Sequence, residues 1–427
     1  MITGLTLAIA YVSSQTGTPT IAIPASDFLN SIGVNSAIDE RGETLAQTIE
    51  CAKYLGIRWI RTGIEARIPI QDFLDLHRQT GVRFSWGLLS GGSDLPKLIE
   101  TAQELARVGA LLSFEGPNEP NNWPIAYNGQ TGGKNLSWQP VADLQRDLYK
   151  AVKADPLLKA YPIWDISENG AETDDVGLQF LVDPHGVHYA DFANVHNYVY
   201  HPNSPGIEDN KTWNAADPSS ACRVDGLYGA YGVTWAHHFS GYSEAQLTTL
   251  PRVTTETGCA IDGPVTEEIH ALNLLSLYLD QFKRGWSYTA VYLLRDRIDE
   301  AGNQKFGFYR PDYSPRKAAI YLHNLTTILA DSGALKKPGQ LSYQIPNCPP
   351  TVHHLLLQRS NRTFELVVWS ELVKGANPIA VHLAKAASAI KIFDPTIGST
   401  PIQTFQKSKA IPLVLTDHPV VLEILNR

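Results

Sequence analysis

Phe114-Glu115-Gly116-Pro117-Asn118-Glu119-Pro120-Asn121-Asn122 follows an apolar run at residues 109–113 that reads as a short buried strand, and it brings a carboxylate to the place where that strand stops. Pro117 and Pro120 bracket Asn118 and Glu119. Each ring fixes its own φ and pushes the residue before it out of the helical region, so the loop is stiff and its side chains are aimed. Taken alone this is a proline-rich turn with an acidic residue in it. A second carboxylate changes that reading: Glu256, in Thr254-Thr255-Glu256-Thr257-Gly258, also ends an expected strand. Two such groups form a site only if the fold brings the strand ends together.

Outward from that strand, residues 31–330 alternate short apolar runs with longer segments of helical period, the signature of successive βα units. Upstream, strands are expected at 32–38, 59–62 and 83–89, with helices at 44–55, 70–80 and 94–108. The first of these helices carries Leu45, Ile49, Ala52 and Leu55 on one face. Downstream, strands are expected at 161–167, 192–196, 252–256 and 288–294, with helices at 136–154, 266–284 and 315–329. With residues 111–115 this makes eight strands in roughly 300 residues, the count and size of a (β/α)8 TIM barrel. A doubly wound open sheet competes, but it usually has fewer strands, and no glycine-rich phosphate loop follows the first strand here. In a barrel the active site sits at the C-terminal strand ends, so Glu119 and Glu256 become neighbours. Residues 197–250 are long for one connection and rich in Pro, Gly, Asn and aromatics, with helices expected near 225–231 and 243–248. On the active face they would form one wall of a substrate cleft.

Beyond the barrel, taken as residues 31–332, the pattern changes. Short β-branched and aromatic runs at 341–345, 353–358, 364–369, 379–383, 389–393, 411–415 and 420–424 point to a C-terminal antiparallel β-sandwich over 333–427. The N-terminal segment 1–30 is available to add one or two strands to it. Residues 5–12 would equally suit the apolar region of a secretory signal, although no positive charge precedes them. A secreted or periplasmic location and a cytoplasmic one both stay open. The net charge of -8 and pI near 5.9 give no electrostatic case for nucleic acid, and no run approaches the roughly 18 apolar residues of a membrane span. Nine Trp and eighteen Tyr suit neutral ligands such as sugars, on whose rings aromatic faces stack. Cys51, Cys222, Cys259 and Cys348 are too scattered for a disulfide framework or a zinc site, but in a barrel Cys222 and Cys259 fall on adjacent loops and could pair.

Hydrolysis of a glycosidic bond needs one carboxyl to protonate the leaving oxygen and another to attack the anomeric carbon or activate water. Glu119 suits the acid/base role and Glu256 the nucleophile, with Asn118 placed to bond a sugar 2-hydroxyl. Asn118-Glu119 after a fourth strand, with Glu256 ending a seventh, resembles clan A of the retaining glycoside hydrolases. Within it, Gly116-Pro117-Asn118-Glu119-Pro120-Asn121 and the trailing sandwich resemble family 39 and its relatives. The resemblance implies a retaining β-glycosidase working by double displacement on an oligosaccharide or polysaccharide, with no cofactor and no metal. It also implies that Arg61 contacts the nucleophile from the second strand, and that His196 and Tyr198 are the sixth-strand His-x-Tyr whose tyrosine bonds the nucleophile. The eighth strand, Ala290-Val291-Tyr292-Leu293-Leu294-Arg295-Asp296, departs from the pattern in lacking the tryptophan that floors the sugar subsite. Tyr292 would substitute, or Arg295 and Asp296 would bind the sugar. Trp86, Trp123 and Trp138 are either sugar platforms or core aromatics. Two other readings compete: a carbohydrate-binding barrel without activity, and a metal-dependent hydrolase using some of His185, His188, His196, His201, His237 and His238. The latter lacks an HxH on the first strand and an HExxH helix.

Overall fold

The computed structural model describes residues 17–64, 68–168, 189–199, 210–222, 243–331 and 333–425. Eight parallel strands, numbered here around the ring, are Ile32–Asn35, Trp59–Gly63, Arg83–Gly87, Leu111–Glu115, Ile163–Trp164, Ala193–Asn194, Arg252–Thr257 and Trp286–Val291. Strand eight pairs back onto strand one, with Thr289 opposite Ile32. Strands five and six meet through a bridge between Trp164 and Phe192, and Asp165 N donates to Phe192 O at 2.9 Å. The strands therefore close into a TIM barrel. The helices between them start and stop on local chemistry. Thr44 and Asp94 accept from Gln47 N and Lys97 N at the starts of Leu45–Leu55 and Leu95–Val108. Gly56 and Gly109 end those helices at φ 70° and 79°, a conformation that costs a residue with a Cβ about 1–2 kcal/mol.

The interior of the barrel changes chemistry along the strands. Trp59, Leu112, Trp164, Val253 and Ala290 form one apolar cluster with Phe192 and Tyr288, in which the Trp59 ring stands edge-on to Trp164 at 5.4 Å and to Tyr288 at 5.9 Å. Gly33 makes room for this, since a Cβ there would lie 2.2 Å from the Trp59 ring. Two residues further along a strand points into the barrel again. That step leads from Trp59 to Arg61, from Gly33 to Asn35, from Val253 to Thr255 and from Ala290 to Tyr292. The apolar cluster thus plugs the barrel below, and a polar layer opens above it.

The C-terminal residues form two layers of antiparallel strands, each joined at its edge by an N-terminal strand, of which Ile23–Pro24 runs parallel to its neighbour. A six-stranded sheet runs in the order Gln403–Gln406, Ala389–Phe393, Val420–Leu425, Phe364–Ser370, Val352–Gln358 and Ile23–Pro24. A four-stranded sheet runs Thr18–Ile21, Gln340–Gln344, Asn377–Leu383 and Ala410–Leu415. All of Phe364–Ser370 is buried because its faces serve different cores: Leu366 and Val368 pack inside the sandwich, while Val367 and Trp369 join the barrel's core. The sandwich is therefore fused to the barrel along one whole face. Helix Ala25–Ser31 links the N-terminal strands to strand one, where the sequence suggested no helix. Residues 1–16, with the possible secretory signal, and the helix expected near 225–231 lie outside the described residues. No helix among the described residues is long and apolar enough to cross a membrane. No disulfide joins Cys222 to Cys259: the Cys222 thiol faces Asn214 O at 3.4 Å and Cys259 Sγ takes the Asn273 amide at 3.8 Å.

Candidate active site

Arg61, from strand two, organises the barrel mouth. Its guanidinium forks onto Glu115, with Nε 2.9 Å from Oε2 and Nη2 2.7 Å from Oε1. Nη1 donates to Glu256 Oε1 at 2.6 Å, and Nη2 also reaches Asn118 Oδ1 at 2.6 Å. Arg61 is 5% exposed, so burial pushes its proton off, but the charges of Glu115 and Glu256 reverse that and hold it firmly protonated. Glu256 receives a second donor, Tyr198 OH, at 2.7 Å from Oε2. Both oxygens of this carboxylate are oriented before anything binds.

Glu119 is held separately. It has φ 43°, a left-handed conformation uncommon for a residue with a Cβ, maintained between the two prolines and by its N–H donating to Ser167 O at 2.9 Å. His196 Nδ1 lies 2.7 Å from its Oε1, and Asn122 Nδ2 donates to Oε2 at 3.0 Å. Burial raises this carboxyl, but the hydrogen bond and charge of His196, then Asn122 and Arg61, outweigh it and the net displacement is downward. The other ring nitrogen of His196 meets Thr255 Oγ1 at 3.0 Å, and that hydroxyl lies 2.9 Å from Glu115 Oε1. One polar layer therefore ties strands two, four, six and seven together. Oxygens of Glu119 and Glu256 and a nitrogen of His196 all lie within 4.8 Å of one another.

The structure brings Glu119, Glu256, Arg61, Asn118, His196 and Tyr198 into this cluster. Tyr292 sits beside it. Burial first and then the charge of Glu256 push its phenol upward, and its ring packs edge-on against Tyr198 at 6.3 Å and Phe306 at 5.6 Å. Two expected site residues are not there. Trp86 is turned outward into the helix layer, its ring 4.8 Å from Phe73 and its Nε1 donating to Thr101, because Ser85 and Gly87 occupy the barrel-facing positions of strand three. Arg295 is spent on the Pro311 carbonyl at 2.9 Å from Nε and lies over the Tyr313 ring at 5.0 Å. Asp296 pairs with Arg316. Of the other tryptophans, Trp123 is 51% exposed beside the Glu119 loop, whereas Trp138 packs against the core. His185, His188, His201, His237 and His238 lie outside the described residues.

Glu115 had no assigned role from sequence, and it is the partner Arg61 grips most fully. The signal was a carboxylate inside a mostly apolar strand, which keeps its charge when buried only if a cation or other donors meet it. Asn122 and Thr255 were missed as well, since nothing in their neighbourhood separates them from ordinary loop and strand residues.

No family model matches the chain, and no curated protein matches it in sequence. Solved structures do match in shape. A family 39 glycoside hydrolase from Bacteroides cellulosilyticus WH2 superposes with a TM-score of 0.60 at 14% identity, over 94% of this chain and 82% of that one. A family 51 α-L-arabinofuranosidase from Bifidobacterium longum gives 0.54 at 11% identity, over 96% and 97%. CelM2, a bifunctional glucanase-xylanase from a metagenome library, gives 0.55 at 11%, over 96% and 99%. The likeness is one of fold: this is a barrel with a fused β-sandwich of the kind that glycoside hydrolases use.

Proposed function

We propose that the protein is a retaining glycoside hydrolase that cleaves β-glycosidic bonds of an oligosaccharide or polysaccharide by double displacement, without a cofactor. The observation that carries this reading is the approach of Glu119 and Glu256 oxygens to within 4.8 Å. Retaining enzymes separate their carboxyls by about 5–5.5 Å, whereas inverting enzymes leave about 6.5–9.5 Å for a water. With its carboxyl held below the ordinary range, Glu119 would act through its protonated fraction, giving that proton to the departing oxygen while Glu256 attacks the anomeric carbon to form a glycosyl ester. Esterification removes the Glu256 charge, so Glu119 is then more stable as a carboxylate and takes a proton from the attacking water. Release restores both groups and keeps the anomeric configuration. Arg61 and Tyr198 aim the Glu256 carboxylate through their hydrogen bonds, and Asn118 would bond a sugar 2-hydroxyl. The structural neighbours named above act on different sugars, so they support the chemistry and not a particular substrate.

The test is a panel of aryl β-glycosides and polysaccharides with Glu256→Ala beside the wild type. Turnover should fall to background and return with azide as an α-glycosyl azide. Activity surviving in Glu256→Ala sinks the reading. The Glu119, His196 and Glu256 atoms are also close enough to ligate a divalent metal. Arg61 Nη1, 2.6 Å from Glu256, puts a fixed positive charge against such an ion, and loss of turnover with a chelator would favour the metal reading instead.

A further inference from the structure

The sandwich reaches the barrel mouth through a short path of contacts. His353, on the strand Val352–Gln358, stacks on Trp213 with ring centroids 3.7 Å apart and planes 12° from parallel. Arg284 covers Trp213 at 4.5 Å from the ring centre and donates to its carbonyl at 2.9 Å. The neighbouring Thr212 bonds Asp280 Oδ2 at 2.5 Å, while Trp369 of the sandwich donates to Asp280 Oδ1 at 2.7 Å. Asn210 N donates to Glu371 O, and the Glu371 carboxylate holds His353 Nε2 at 2.5 Å. The one-turn helix Thr212–Ala215 is thus clamped between the barrel's helix Glu267–Lys283 and the sandwich.

That helix holds the residue between His196 and Tyr198. Asn197 Nδ2 donates to Ala215 O at 2.8 Å, and the Asn197 carbonyl accepts from Thr257, next to Glu256, at 2.9 Å. Strand six is regular only at Ala193–Asn194; beyond it the backbone is held by single hydrogen bonds, His196 N to Glu168 O at 2.8 Å and Val199 N to Gly258 O at 2.9 Å, and the Asn197 side chain supplies the tie between them. We infer that the sandwich is a positioning element of the active site: the His353–Trp213 stack fixes Ala215, Ala215 fixes Asn197, and Asn197 sets His196 against Glu119 and Tyr198 against Glu256. Trp213, His353 and Asn197 are positioning residues; none touches the two glutamates. The inference rests on the glycosidase reading for its catalytic consequence, but the placement of the imidazole can be measured without it.

The experiment uses the full chain with ¹⁵N-labelled histidine, the His196 resonances being assigned by their loss in His196→Gln. Trp213→Ala should move those resonances and lower kcat on the best aryl β-glycoside on the order of 10²-fold, the scale of a misplaced catalytic group, with KM little changed. Trp213→Phe keeps an aromatic partner for His353 and should restore both. Leu413→Ala, a cavity in the far layer of the sandwich, should move neither. If Trp213→Ala does not fold, Asn197→Ser cuts the bond to Ala215 directly and carries the same expectation. Unmoved His196 resonances in a folded Trp213→Ala or Asn197→Ser overturn the inference. If the wild type hydrolyses no glycoside, the glycosidase reading fails, and the resonances still decide whether the clamp sets His196.

Discussion

At the barrel mouth three buried carboxylates share one guanidinium, an imidazole, a phenol, a threonine hydroxyl and an amide. At the barrel–sandwich junction Asp280 is wholly enclosed, and among the described residues its carboxyl is hydrogen-bonded by Thr212 Oγ1 and Trp369 Nε1. Burial pushes a carboxyl toward its neutral form in both places, yet the outcomes differ. Glu119 ends below its ordinary range, while Asp280 is pushed up to about 7. Donors and cations, not depth, decide which buried carboxyl keeps its charge. The carboxyl at the mouth therefore keeps its charge, and the one at the junction keeps its proton up to about pH 7.

The sharpest way to break this contrast is to remove the shared cation. Arg61→Met leaves Glu115 and Glu256 buried without their partner, and loss of one member of a buried ion pair costs about 3–5 kcal/mol. Urea unfolding should show a destabilisation of that size, and turnover should fall to background. A variant as stable as the wild type would mean that the mouth does not depend on Arg61 for its charge. Next in size is His196→Gln. Removing the imidazole leaves burial as the main influence on Glu119, so its carboxyl should rise, and the alkaline limb of kcat/KM, which reports the acid, should move to higher pH. The stability linkage has the opposite sense. A depressed carboxyl contributes stability above its unfolded value near 4.3 that is lost as pH falls through the folded value, and the variant should lack that contribution. A limb that stays in place would show that His196 does not set the Glu119 proton.

Much of this mouth can be read from the sequence because strand ends are conspicuous. Leu111–Glu115 and Ile70–Thr80 fall at the expected bounds, and Arg61, Asn118, His196 and Tyr198 all follow short apolar runs. Alternation places Trp86 on the outer side of strand three with Phe84, both against Phe73, so an aromatic in a barrel strand was no guide to a sugar platform. Arg295 follows strand eight, in a loop where period two no longer says which way a side chain points. Strands five and six are only two residues long, shorter than the apolar runs around them, because beyond Trp164 and Asn194 the chain is held by isolated bridges and side-chain bonds. The junction was not legible at all. Thr212, Asp280, His353 and Trp369 are separated by tens of residues and lie in no motif, and only the seating of the sandwich on helix Glu267–Lys283 makes them neighbours.

At pH 4 to 5 Asp280 offers the smallest effect, and its pH dependence is the most specific one. Thr212 has one hydroxyl proton and two acceptors, Asn210 Oδ1 at 2.7 Å and Asp280 Oδ2 at 2.5 Å. When Thr212 donates to Asn210, its contact with Asp280 is satisfied only if Asp280 supplies the proton, which agrees with the upward displacement of that carboxyl. The charge of Glu371 works in the same direction, and that of His353 against it. The native state therefore keeps a proton up to about pH 7 that the unfolded chain releases near 3.9. Between those values the native state binds more protons, so stability falls as pH rises, by at most about 1.4 kcal/mol per pH unit from this group. Asp280→Asn cannot ionise and keeps one acceptor for Trp369 or Thr212. Its unfolding free energy should be slightly below the wild type's at pH 4 to 5, and the downward slope toward pH 7 should be shallower. Equal slopes in the two proteins would show that Asp280 is ionised throughout, and the contrast between mouth and junction would then lie in their partners alone and not in their charge.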